Sequence, residues 1–205
     1  MKKILLWISQ YVPYDSVAHA GGQIENYYLK ALCKTNEFDI RLYTFGTFKE
    51  KNNVDLSKYG IKSDIYYYKW DGIKGNILKF YNRISKFWIW RKHAGLNCMY
   101  FPYNMLKRIR KLADTGYVPD IVVLQWTEIS LISGDVKKIF TNAKIVCIEE
   151  DVCFLGQERH LEHTKNNVFK LYYKAKCKAV KKAELKMLNL ADLVILNNRK
   201  DEKLL

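Results

Sequence analysis

Apolar residues fall along this chain in two patterns that alternate. Short unbroken runs are separated by longer stretches in which apolar positions recur every three or four residues. The runs are Ile4-Leu5-Leu6-Trp7-Ile8 and Ile121-Val122-Val123-Leu124, while Ala143 to Ile148 and Ala191 to Leu196, each holding one charged residue, read as further strands. Continuous apolarity over so few residues is what a strand buried on both faces requires. Asp39 to Phe45 alternates instead, as a half-buried strand does. Asp64 to Trp70 is a β-rich run ending at the turn signal Asp71-Gly72.

Between these runs the spacing is helical. After Gly21-Gly22, the residues Ile24, Tyr27, Tyr28, Ala31 and Leu32 form one stripe, predicting a helix that turns them inward. Asn76 to Lys92 gathers Ile77, Phe80, Tyr81, Ile84 and Trp88 on one face. A helix starting near Pro102 would bury Met105, Leu106, Ile109 and Leu112 and carry Lys107, Arg108, Arg110 and Lys111 outward. Ile129 to Phe140 reads as a short helix, and the stretch holding Gln157 to His163 as a loop. Asn167 to Leu190 reads as a long helix with the stripe Tyr172, Ala175, Ala179, Ala183, Met187 and Leu190. A last helix begins at Arg199. Strands alternating with helices predict one α/β domain over residues 1–205, a Rossmann-like, doubly wound, mostly parallel sheet.

Composition narrows the class. With 49% hydrophobic and 14% aromatic residues the chain packs a core. No apolar run approaches the roughly 20 residues of a membrane span, and the first run lacks the features of a signal peptide. Five cysteines, odd in number and never spaced C-x-x-C, fit reduced thiols in the cytoplasm better than a disulfide frame or a zinc site. The net charge of +14 points to anionic partners: a lipid surface, nucleic acid or a phosphorylated substrate. No nucleic-acid recognition motif accompanies it.

Doubly wound sheets bind ligands at the carboxyl ends of their strands. Polar residues gather at those predicted ends: Asp15 and His19 in the loop before the glycines, Gln125 to Glu128, and Glu149-Glu150-Asp151. Paired glycines admit two readings. Either they bring backbone N–H groups close to an anion at a helix start, or they make a tight turn needing positive φ. His160 and His163 with Glu158 lack a convincing third metal ligand and read as surface residues, as does Arg159 by default. The stretch from Lys79 to Lys111 is both basic and aromatic. Core-facing rings with a solvated charged face explain most of it. Lys79, Arg83, Lys86 and Arg91 with Trp88 and Trp90 also make the kind of helix that lies in an anionic membrane surface.

The order of these pieces resembles a known family. QYVPYDSVAHAGGQIENYYLKAL, then PDIVVLQW, AKIVCIEEDVCF and ELKMLNLADLVILNN, is similar to the N-terminal domain of group 1 (family 4) glycosyltransferases of GT-B fold. The resemblance implies half of a two-domain enzyme: this acceptor-side domain, and a nucleotide-sugar-binding domain whose paired-glutamate motif and phosphate-binding Arg and Lys are absent here. It implies transfer of a sugar, with retention, from a UDP- or GDP-linked donor to a lipid-linked or surface polysaccharide acceptor. No metal or other cofactor is expected, and the half alone is expected to be inactive. The place is the cytoplasm, against the inner face of the cell membrane. Gly21 and Gly22 match the loop beside the donor diphosphate, in a crevice open toward the missing lobe. Asp151 matches the family's acid, and Glu150 stands where members carry histidine, as does Gln125. Asp15, His19, Gln125, Glu128 and Arg159 become acceptor contacts. A noncatalytic sugar- or nucleotide-binding module of the same fold is the alternative, and a basic nucleic-acid binder, suggested by charge alone, a lesser one.

Overall fold

A computed structural model describes residues 2–69, 71–85 and 100–202. Six strands form one sheet in the order β3-β2-β1-β4-β5-β6. They are β1 (Lys3–Ser9), β2 (Phe38–Thr47), β3 (Lys62–Tyr68), β4 (Ile121–Gln125), β5 (Lys144–Glu149) and β6 (Leu193–Leu196). All five neighbouring pairs are parallel. The helices are α1 (Ala20–Thr35), α2 (Gly72–Ser85), α3 (Tyr100–Asp114), α4 (Thr127–Ser130), α5 (Ser133–Ile139), α6 (Cys153–Glu162), α7 (Asn167–Leu188) and α8 (Arg199–Glu202). This is the doubly wound α/β architecture that the alternating pattern predicts.

Because side chains alternate across a strand, the sheet carries a core on each face. Leu6, Ile8, Val122, Leu124 and Ile145 pack with α3 and α5 on one side. Leu5, Trp7, Leu42, Val123 and Ile148 pack with Leu29 of α1 on the other. Register at the strand starts is pinned by aspartates. Asp120 accepts the Ile4 N–H at 2.7 Å, and Asp192 accepts the Ile145 N–H at 2.8 Å. Lys137 and Lys144 also bind Asp192, and these bonds hold its carboxyl well below the usual carboxylate range.

Four expectations need correction. The buried face of α1 is Gly22, Glu25, Asn26 and Leu29, while Tyr27 is 69% exposed. The helix is rotated because Glu25 finds hydrogen-bond donors beneath it. Residues 157–163 lie mostly in α6, whose open N–H groups at Cys153 and Phe154 are capped by Glu184 of α7, at 2.8 and 3.0 Å. The helix expected over residues 129–140 is two, interrupted at the buried pair Leu131-Ile132. In α7 the buried positions are Cys177, Val180, Glu184, Met187 and Leu188, so Ala175 and Leu190 are exposed.

Arg108 also departs from its expected outward place. Its guanidinium donates to the carbonyls of Thr44 and Asp64 and to the Asp64 carboxylate, and lies over the rings of Tyr43, Phe45 and Tyr66. A planar, multiply donating group suits that stacked, multidentate seat.

Candidate functional site at the switch point

Strand order reverses between β1 and β4: the chain leaves β1 toward β2 and leaves β4 toward β5. The crevice above their carboxyl ends is where such sheets place ligands. Ser9, Gln10 and Tyr11 enter it from β1, Gln125 and Trp126 from β4, and the first turns of α1 flank it.

At its base lies Glu25, fully buried. Its Oε1 accepts the Trp7 indole N–H at 3.0 Å. Its Oε2 accepts the Ser9 hydroxyl at 2.8 Å and the Trp126 indole N–H at 3.3 Å. Burial lifts the carboxyl to about 8; the three donors pull against that, and the charge of Glu150 adds to it. The sequence offered no warning of this residue, which sits one position after an apolar stripe residue and looks solvent-facing.

Above Glu25 three rings meet edge to face. Tyr11 lies 5.3 Å from His19 and 5.0 Å from Trp126, and His19 lies 5.6 Å from Trp126. Tyr11 and His19 are exposed and Trp126 half-buried, so the cluster forms an aromatic rim. Trp126 holds φ at 81°, a region that bulky residues rarely adopt and that concentrates at functional sites. Its amide still bonds to the Ile148 carbonyl at 3.1 Å.

The glycines belong to this packing. Both lie inside the first turn of α1, and positive φ among the described residues is found elsewhere. A β-carbon on Gly21 would stand 2.2 Å from the Trp126 ring, and one on Gly22 2.6 Å from His19. The Gly22 N–H is already donated to His19 Nδ1, the helix cap, at 3.0 Å. So a tight turn needing positive φ is not what stands here. The crevice is covered over Gly21 by the protein's own indole.

Beside the rim, at the ends of β4, β5 and β6, Glu150 is held by two amides. Gln125 Nε2 donates to Oε1 at 2.5 Å and Asn197 Nδ2 to Oε2 at 2.6 Å. Glu150 is half-buried, and burial raises its carboxyl above the ordinary value; Asn197 and Gln125 oppose the rise, and Asp151 adds to it. Gln125 is buried with its Oε1 unpartnered. Asp151 is exposed, and its carbonyl accepts the Thr127 hydroxyl at 2.7 Å. Glu149 points to the opposite face of the sheet and is buried; burial lifts its carboxyl to about 7, against the pull of the Ser130 and Thr127 hydroxyls.

The remaining predicted residues are dispersed. Asp15 is bound by Asn26 and Lys30, which tie its loop to the flank of α1. Glu128 is half-buried in α4. Arg159 is exposed on α6, six residues past the helix start or about 9 Å along it. His160 packs on Tyr173 at 4.4 Å. Lys79 and Arg83 are exposed on α2, whereas Lys86, Trp88, Trp90 and Arg91 lie outside the described residues. The apolar face of α2 is bare: Ile73, Ile77, Phe80, Tyr81 and Ile84 are all exposed. It forms one wall of a groove of about 880 Å³ whose other wall includes Phe48 and Tyr66. The groove's charged members, Lys69, Asp71 and Lys74, are exposed, so it offers apolar contact, whereas the crevice holds the oriented, desolvated polar groups that chemistry needs. Among the described residues no helix is long and apolar enough to cross a membrane.

Compared with protein-family models and with curated proteins, the chain matches none.

Proposed function

We propose that this chain is the acceptor-side half of a glycosyltransferase that moves a sugar from a nucleotide sugar to a hydroxyl of a lipid-linked or surface polysaccharide acceptor. The observation that carries the reading is Glu150, fixed by Gln125 and Asn197 beside the rim of Tyr11, His19 and Trp126. A sugar presents apolar C–H faces, which settle on aromatic rings, and hydroxyls, which need fixed acceptors. A carboxylate held on both oxygens keeps its remaining lone pairs directed, which suits it to hold and orient the reacting hydroxyl. Asp151, exposed next to it, orients a second hydroxyl.

A retaining transfer asks little more of this half, because the departing phosphate of the donor can accept the acceptor's proton. The nucleotide sugar is a substrate held by the other domain. The bare apolar face of α2, with Lys79 and Arg83 alongside, supports contact with an anionic membrane, each cation there adding roughly 1 kcal/mol. A second reading, a noncatalytic glycan-binding module, is favoured by the covered glycines and by the absence of histidine at positions 125 and 150.

Transfer by the two-domain protein separates them. Glu150→Gln lowers kcat by roughly 10²-fold or more if the carboxylate acts on the reacting hydroxyl. Unchanged transfer by that variant overturns the catalytic role, and no transfer by the parent protein favours the binding module.

A further inference from the structure

We propose that Glu25 is a proton-operated latch: when it takes up a proton, the Ser9 hydroxyl swings to the Tyr11 carbonyl and the Trp126 indole is released from the first turn of α1. The geometry rests on one hydroxyl with two acceptors. Ser9 Oγ stands 2.8 Å from Glu25 Oε2 and 2.9 Å from the Tyr11 carbonyl, and it owns a single hydrogen. With Glu25 ionised, that hydrogen goes to the carboxylate. With Glu25 protonated on Oε2, the acid proton is donated to Ser9 Oγ, and the serine hydrogen turns to Tyr11. In both arrangements the serine hydrogen has an acceptor, so the relay has two states.

The indoles respond unequally. Trp7 donates to Oε1, which stays an acceptor in both states. Trp126 shares Oε2 with Ser9 and has the longest of the three bonds, 3.3 Å. A protonated Oε2 is a poor acceptor, so this bond weakens first. Trp126 already holds an unfavourable backbone conformation, and its ring presses on Gly21. Releasing it uncovers the crevice between β1 and β4. What then enters depends on the reading above; the latch does not.

The charged and titratable groups around Glu25 set its range. Glu150, at the end of β5, opposes its ionisation, and burial does so more strongly, placing the transition near pH 8. From the rim, the Tyr11 and His19 rings pack against Trp126, whose indole binds it. On α1, Asp15 and Lys30 are paired with each other.

The test is a pH titration of the ligand-free protein between about pH 6 and pH 10, following the indole N–H resonances by NMR. The Trp126 resonance should move with a midpoint near 8. In Glu25→Gln it should lie at its acid position throughout. In Ser9→Ala it should still titrate while the Tyr11 amide, which donates to Ser9 Oγ at 3.3 Å, loses its pH dependence. A Trp126 resonance that is constant over this range, or that titrates unchanged in Glu25→Gln, overturns the latch. A Tyr11 amide that still titrates in Ser9→Ala overturns the relay, even where Glu25→Gln fails to fold. None of these outcomes touches the transferase reading, which is judged by Glu150.

Discussion

Trp126 and Gly21 are fitted to each other: the indole occupies the space in which any β-carbon at position 21 would stand, 2.2 Å from its ring. The helical backbone at Gly21 would accept alanine, so the requirement is steric. Gly21→Ala should therefore expel the indole, break its bond to Glu25 and destabilise the fold by about 1–3 kcal/mol. Adding Trp126→Ala should return most of that loss, a coupling that a double-mutant cycle in urea measures directly. Losses that simply add would show that the two residues do not share this space.

Three glutamates set the response of stability to pH. Glu25 is lifted to about 8, and Glu149 and Glu184 to about 7, all above the ordinary 4.5 and all by burial first. Groups of this kind bind more protons folded than unfolded. Their contribution is whole below about pH 4.5 and is lost as pH rises through 7 and 8. Asp192 acts the other way, losing its contribution only at strongly acid pH. Thermal unfolding should thus show a stability maximum on the mildly acid side and a loss on the order of a few kcal/mol by about pH 9. Glu25→Gln should flatten the upper part of that fall. A midpoint that rises from pH 6 to 9 would contradict the assignment.

The fold was legible because unbroken apolar runs survive any context: Ile4 to Ile8 and Ile121 to Val123 can only be buried strands between two cores. Helix faces were less so. In α1 the residues that face the sheet include Glu25, which accepts from Trp7, Ser9 and Trp126, and Asn26, which donates to Asp15, and no local pattern reveals these partners. Arg108 was hidden for the same reason, since its seat is built from strands more than 40 residues away. Of the residues at the crevice, Gln125 and Glu150 were legible as polar strand ends, and His19 as part of the loop before the glycines. The partner Asn197 was missed because it follows a different strand, and the covering role of Trp126 because sequence does not tell which way a ring lies.

The bare face of α2 makes its own prediction. Replacing Ile77 and Phe80, 62% and 66% exposed, by aspartate should leave the unfolding midpoint within about 0.5 kcal/mol of the parent, as surface changes do. It should abolish sedimentation with vesicles rich in anionic lipid. Undiminished binding would place membrane contact elsewhere, and a large loss of stability would mean the face is covered in the folded protein.

The most direct measurement is a titration of the protein with a panel of oligosaccharides, read by the resonances of Tyr11, His19, Trp126 and Asn197. At least one glycan should shift these four together, and Glu150→Ala should weaken its binding by about tenfold or more, the worth of a charge-assisted hydrogen bond. Glycan binding that leaves the four resonances unmoved, or that survives Glu150→Ala undiminished, would contradict the assignment of the crevice as the site.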